Sequence, residues 1–215
     1  MKLAIWYHCI LSGGSVPIDT EFACRILQSQ MRVLKDSGLL DQADEFYVGI
    51  NGGEEDVQIA SLFASAKAKF IIHGAGMTTE IPTLAHLRHW LPGHEEWKVM
   101  YHHIKGVTRP NDPPYDNWRK TMEKAVVTNW RTCVSDLDNG VDACGCYWLL
   151  PEECPEKIHD FPFFGGTFWW ATAKYLLTLP PLPLATWANR YKAENWIGQG
   201  PRRPRIKNYT SGRPL

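Results

Sequence analysis

The sequence predicts an α/β fold: a single domain on a mostly parallel central sheet flanked by helices. Two observations carry this. Apolar, β-rich runs alternate with helix-period segments through residues 1–104, and each run breaks at a glycine or polar cluster. Strands joined through helices imply right-handed crossovers and parallel neighbours, and 215 residues suffice for one substantial core.

The elements follow in order. Leu3 to Ile10 is the first strand, and after the Gly13-Gly14 loop Asp19 or Thr20 caps a helix over 21–35. Residues 45–50 form the second strand, ending at Asn51-Gly52-Gly53 before a helix over 54–65. Residues 69–73 are the third, breaking at Gly74-Ala75-Gly76. A helix over 79–90 follows, with Pro82 in its first turn, where a missing N–H costs little. Residues 97–104 are the fourth strand. Beyond Pro110 the pattern predicts one helix over 115–134, a strand over 141–148, and helices over 172–179 and 186–197. From Gly198 the chain is basic, with Pro and Gly and no acidic residue, and reads as an extended tail over 199–215.

Composition narrows the function. Lys plus Arg (23) equal Asp plus Glu (23), so no global field draws the chain to nucleic acid or membrane, and a charged ligand must meet a local cluster. The apolar start is far too short for a spanning helix. Six cysteines without paired C-x-x-C spacing fit reduced thiols, hence a cytoplasmic protein, at most peripheral to a membrane.

Parallel sheets bind ligands beyond the carboxyl ends of their strands. Tyr7 and His8, Asn51, His73, and the run Tyr101-His102-His103-Ile104-Lys105-Gly106 stand at those ends. Lys105, beside a glycine that admits close backbone approach, suits a phosphate or diphosphate. Asp160 to Trp170 packs six aromatics around Gly165-Gly166, an arrangement suited to sugar rings, whose C–H faces lie on π surfaces.

Together these residues resemble a known family. Glu80-x-Pro82-Thr83-Leu84, Val99-x-Tyr101-x-His103-x-Lys105-Gly106-Val107, Trp118-Arg119-x-x-Met122, Gly145-x-x-Trp148, Gly165 to Ala171 and Arg190-x-x-x-Glu194-x-Trp196 look like small bacterial and large-DNA-virus glycosyltransferases of the GT-A type. The resemblance spans residues 2–198. It implies a nucleotide-diphosphosugar-binding fold, with a nucleotide-binding half over 1–107 and an acceptor half over 108–198, that transfers a sugar to an acceptor hydroxyl of a glycan or lipid-linked acceptor, commonly in surface glycan synthesis. The implied donor is a UDP or dTDP sugar, with GDP an alternative. Tyr7, His8, Asn51, His73, Glu80, Thr83, Tyr101, His103 and Lys105 would border it, and Trp148, Gly166, Thr167, Trp169 and Trp170 would meet the acceptor. Where GT-A enzymes carry an acidic D-x-D metal site this chain reads Tyr101-His102-His103, and it has Gly166-Thr167 where relatives have Gly-Asn.

Breaking a glycosyl–phosphate bond builds negative charge on the departing diphosphate, which calls for a cation. Without the acidic pair, Lys105 is the candidate, with His103 its neighbour or the ligand of a Mn²⁺ or Mg²⁺ ion. The attacking hydroxyl gains from a carboxylate base. Glu194 is the first candidate and Asp160 the second. Two rival classes are a non-catalytic carbohydrate-binding module using the tryptophans and a nucleic-acid-associated protein using the basic tail.

Overall fold

A computed structural model describes residues 1–12, 17–74, 79–154 and 158–210. The Gly13-Gly14 loop and Ala75-Gly76 lie outside the described residues.

Three βα units and a fourth strand build the first half. Strand β1 (Lys2–Ile10) leads to helix α1 (Thr20–Asp36), whose N-cap is Asp19, its carboxylate accepting from the Phe22 N–H. A helical turn, α2 (Leu39–Gln42), precedes β2 (Glu45–Asn51), which is followed by α3 (Glu54–Ser61), β3 (Ala68–Ile72), α4 (Ile81–Trp90) and β4 (Trp97–His103). β1 pairs in parallel with both β2 and β4, and β2 with β3, giving the order β3-β2-β1-β4. Because β1 is buried on both faces, it reads as a continuous apolar run rather than an alternation.

The second half departs from expectation in several places. The single helix over 115–134 is instead α5 (Pro113–Met122), a π-helical turn over Glu123–Thr128, and α6 (Trp130–Asp138). A π turn leaves carbonyls without their usual partners, and other side chains supply donors: the Trp170 indole N–H reaches the Val126 carbonyl at 2.8 Å and the Cys133 thiol the Ala125 carbonyl at 3.5 Å. The strand over 141–148 resolves into β5 (Ala143–Gly145) and β6 (Trp148–Leu149), the latter pairing with β7 (Phe163–Phe164). The helix expected over 172–179 shortens to α7 (Ala173–Leu176), and Thr172 instead ends the strand β8 (Trp169–Thr172) and caps that helix. The last predicted helix reduces to α8 (Tyr191–Asn195) between 3-10 turns. β8 inserts antiparallel between β4 and β5.

The basic tail is a structural element. Ile206–Asn208 forms β9, parallel to β5 at the sheet edge. Arg202 grips the buried Asp142 carboxylate with both Nη atoms at 2.7 and 2.8 Å, and the Arg205 N–H donates to the same carboxylate at 2.7 Å. Part of the charge that suggested nucleic-acid binding, that of Arg202, is thereby paired with a buried carboxylate of the fold.

The sheet order is β3-β2-β1-β4-β8-β5-β9. One core lies between the sheet and α1, α5 and α6, the other between the sheet and α4, α7 and α8. Among the described residues no helix is long and apolar enough to cross a membrane.

Candidate functional site

A cleft of about 570 Å³ opens at the carboxyl ends of β1 and β4, where α4 and α8 approach them. Its walls carry His8, Glu80, His103, Lys105, Arg109, Tyr115, Arg190, Tyr191 and Glu194. Three cations and two carboxylates therefore share one cavity in a chain with no net charge.

Sheet register builds the inner wall. His8 on β1 sits opposite His103 on β4 and Gly49 on β2. Gly49 is required: a Cβ there would stand 2.2 Å from Thr83 Oγ1 and 2.6 Å from His73 Nε2. In the space it leaves, four side chains form one hydrogen-bond chain. The Asn51 amide donates to the Thr79 carbonyl at 2.9 Å, which identifies the atom as nitrogen, so it also donates to His8 Nε2 at 3.3 Å. His8 Nδ1–H then donates to Thr83 Oγ1 at 2.7 Å, and the Thr83 hydroxyl donates to His73 Nε2 at 2.8 Å. Burial lowers His8 to about 3 and His73 to about 4, so both rings are neutral and the chain runs in one direction.

The floor is a second neutral pair. His103 Nε2–H donates to the Gly166 carbonyl at 3.0 Å, which leaves Nδ1 an acceptor facing Glu80 Oε1 at 3.3 Å. Burial pushes Glu80 up to about 8, helped by the Glu194 charge, and holds His103 well below its usual value. A protonated Glu80 donating to His103 satisfies both, where an ionised pair would bury two charges.

Lys105 stands at the mouth. Its ammonium lies 3.9 Å from the Trp118 ring centroid. Burial lowers its pKa, while the charge of Glu194 opposes that shift. On the far wall Arg190 stacks on Tyr191 at 4.1 Å and donates to its hydroxyl at 2.7 Å, and Glu194 lies 3.6 Å from His159 Nε2.

The expected site residues fall into two groups. His8, Glu80, His103, Lys105 and Glu194 line the cleft, with Asn51, His73 and Thr83 directly behind His8. Tyr7 points to the opposite face of the sheet, its hydroxyl donating to Gln30 at 2.7 Å. Tyr101 is sealed against Trp169. Asp160 is exposed and paired with Lys192 away from the cleft. The acceptor expectation needs correcting: Trp169 and Trp170 are 1% and 0% exposed, and a ring without an open face cannot carry a sugar. Gly166 and Thr167 back His103 from inside, and Trp148 packs on Phe164 beside a separate groove with Arg202 and Arg203. Trp169 and Trp170 are likewise closed to a carbohydrate-binding module, which would be left with the half-buried Trp148.

The metal expectation does not fit. Both His103 nitrogens are engaged, and among the described residues no group of three or more His, Cys, Asp or Glu side chains could hold an ion. Arg109, Tyr115 and Arg190 are cleft residues that strand-end reasoning did not assign. Arg190 was legible from its i,i+4 spacing to Glu194, whereas Arg109, four residues past Lys105 in an irregular loop, carried no pattern.

The family model described as "Domain of unknown function (DUF8361)" matches residues 15–184. No curated protein sequence matches the chain. Among solved structures, one titled "Crystal Structure of a Mycobacterial Protein" is similar at 12% identity and a TM-score of 0.47, covering 100% of this chain and 68% of its own. A 4-diphosphocytidyl-2C-methyl-D-erythritol synthase is similar at 14% identity and a TM-score of 0.48, covering 97% of this chain and 89% of its own. Likeness at that level says nothing of activity.

Proposed function

This chain belongs to the DUF8361 family, a domain of unknown function, and from its cleft we propose that it is a glycosyltransferase of GT-A type, moving a sugar from a nucleoside-diphosphate donor to an acceptor hydroxyl. One observation carries the reading: Lys105, Arg109 and Arg190 converge with Glu194 on a single cavity at the carboxyl ends of β1 and β4, where open α/β sheets bind ligands.

Each residue has a chemical part. As the glycosyl–phosphate bond breaks, Lys105, with the two arginines, neutralises charge growing on the leaving diphosphate. Because Glu80 is held protonated, the cavity presents three positive groups against the one carboxylate of Glu194, a balance that favours an anion. Glu194, on the α8 side, accepts the proton of the attacking hydroxyl. The Asn51–His8–Thr83–His73 chain forms the rigid wall beside the nucleoside. In this reading residues 1–107 hold the nucleoside and supply Lys105, while Arg109 and Arg190 complete the diphosphate site from the second half. The acceptor, a glycan or lipid-linked hydroxyl, meets Glu194, and the reaction belongs to surface glycan assembly in the cytoplasm.

The test is calorimetric titration with UDP, dTDP and GDP, then with their sugars, with and without manganese. Micromolar binding of at least one diphosphate, weakened in Lys105→Ala, supports the reading. No binding of any nucleoside diphosphate overturns it.

A further inference from the structure

The segment Trp118-Arg119-x-x-Met122 lies on α5, outside the cleft lining, yet Trp118 and Arg119 reach the cleft residue Lys105, and Met122 packs on Gly166 behind His103. At the end of β4 the chain leaves the sheet, and the carbonyls there find donors elsewhere, that of His103 from the Lys105 N–H at 2.8 Å. Two buried side chains supply further donors. Arg119, 6% exposed, donates from Nη1 to the Lys105 carbonyl at 3.1 Å. Gln30, 1% exposed, donates from Nε2 to the His103 carbonyl at 3.2 Å and is itself fixed by the Tyr7 hydroxyl. Arg119 is locked in turn by Asp116 and by Glu123, the latter at 3.5 Å from its Nε. One residue earlier, the Trp118 indole lies under the Lys105 ammonium. One turn later, Met122 fills the space beside Gly166, where a Cβ would meet its sulfur at 2.6 Å, and Gly166 holds His103 through its carbonyl.

We propose that Trp118 and Arg119 are positioning residues that grip Lys105 from its two ends, indole on ammonium and guanidinium on carbonyl, so that the cation is presented to the cleft. The inference rests on the reading of Lys105 as the diphosphate-binding cation. A lysine on a four-carbon stem has many rotamers, and a fixed cation binds an anion better than a wandering one because less freedom is lost on binding. The aromatic face selects the rotamer through a cation–π contact, while Arg119 fixes where the stem begins. A lysine at 119 lacks the planar fork needed to reach Asp116, Glu123 and the carbonyl together.

Two measurements test this. In the first, UDP affinity is measured for Trp118→Leu, Trp118→Phe and Lys105→Ala, alone and combined. The expected result is about a tenfold loss for W118L, partial recovery in W118F, and no further loss when W118L is added to K105A; a packing role alone would weaken binding equally in both backgrounds. An unchanged affinity in W118L, or full additivity, overturns the proposal. In the second, amide hydrogen exchange is followed without ligand in Arg119→Lys. Exchange over residues 105–109 rises at least tenfold while α5 stays protected; equal exchange, or loss of protection throughout α5, overturns the clamp. If the parent chain binds no nucleoside diphosphate, the transferase reading fails, and the exchange experiment still decides the clamp.

Discussion

Glu80 Oε1 stands 3.3 Å from His103 Nδ1, and the hydrogen is on the carboxyl rather than the ring. The assignment follows from His103 spending its one N–H on the Gly166 carbonyl and from burial favouring the neutral form of each partner.

Stability should therefore peak near pH 6.5. His8, His73 and His102 are lowered from 6.5 to about 3, 4 and 3. Below pH 6.5 the unfolded chain thus binds protons that the folded one refuses, and stability falls as pH drops. Glu80 and Glu123 are raised from 4.5 to about 8 and 7, so the folded chain holds the extra protons and stability falls as pH rises from 4.5 to 8. Up to 6.5 the more numerous histidines win; from there to about 8 the two glutamates outweigh the single lowered lysine, Lys105, which acts in the opposite sense. Urea midpoints between pH 5 and 9 measure this, and Glu80→Gln, which keeps the shape and the donor to His103, should flatten the alkaline fall. A midpoint rising steadily to pH 9 contradicts the assignment.

Lys105→Ala should lower sugar transfer by about a hundredfold or more, the roughly 3 kcal/mol that one preorganised donor contributes. Its circular dichroism should not change. Turnover within a few-fold of the parent would remove Lys105 from the reaction.

Glu194→Gln should reduce transfer by roughly 10²–10⁴, the range for a positioned general base, with nucleoside diphosphate affinity retained. Asp160→Asn, at an exposed pair with Lys192, should leave transfer unaltered. Product analysis of the two variants side by side separates the carboxylates, and the opposite ranking would exchange their roles.

Gly49→Ala should destabilise the fold by about 1–3 kcal/mol, as overpacking does. The added methyl would lie against Thr83 and His73 and break the hydrogen-bond chain behind the cleft. Chemical denaturation checks the magnitude, and a neutral result would mean that Thr83 has room to move.

Removal of residues 200–215 should destabilise the chain rather than abolish a nucleic-acid affinity, since it strips β9 from the sheet edge and leaves the buried Asp142 carboxylate without Arg202 and the Arg205 N–H. Thermal melting and a salt-dependent oligonucleotide titration distinguish the outcomes.

The first half was legible because each of its central strands is buried on both faces and reads as an apolar run ended by glycine. The second half was not. Strands of three or four residues, Ala143–Gly145 and Trp169–Thr172, are too short to show a period, and the π turn has no compositional mark. Aromatic residues at 161–170 gave size and chemistry but no sign of which ring faces water. Tyr7 could have been placed correctly: successive strand residues point to opposite faces, so a His8 that faces the cleft sends Tyr7 to the core. Lys105 and Glu194 were readable, the first from its strand end, the second from its spacing to Arg190.

The linked side chains of Asn51, His8, Thr83 and His73 have a consequence for switching. A hydroxyl carries a single hydrogen, so neither imidazole can exchange its tautomer without turning the threonine and obliging the other ring to follow. A molecule that displaces the Asn51 amide and accepts a hydrogen from His8 Nε2 would therefore draw the hydrogen off Nδ1, turn the Thr83 hydroxyl toward His8 and require His73 to donate from Nε2 in its place.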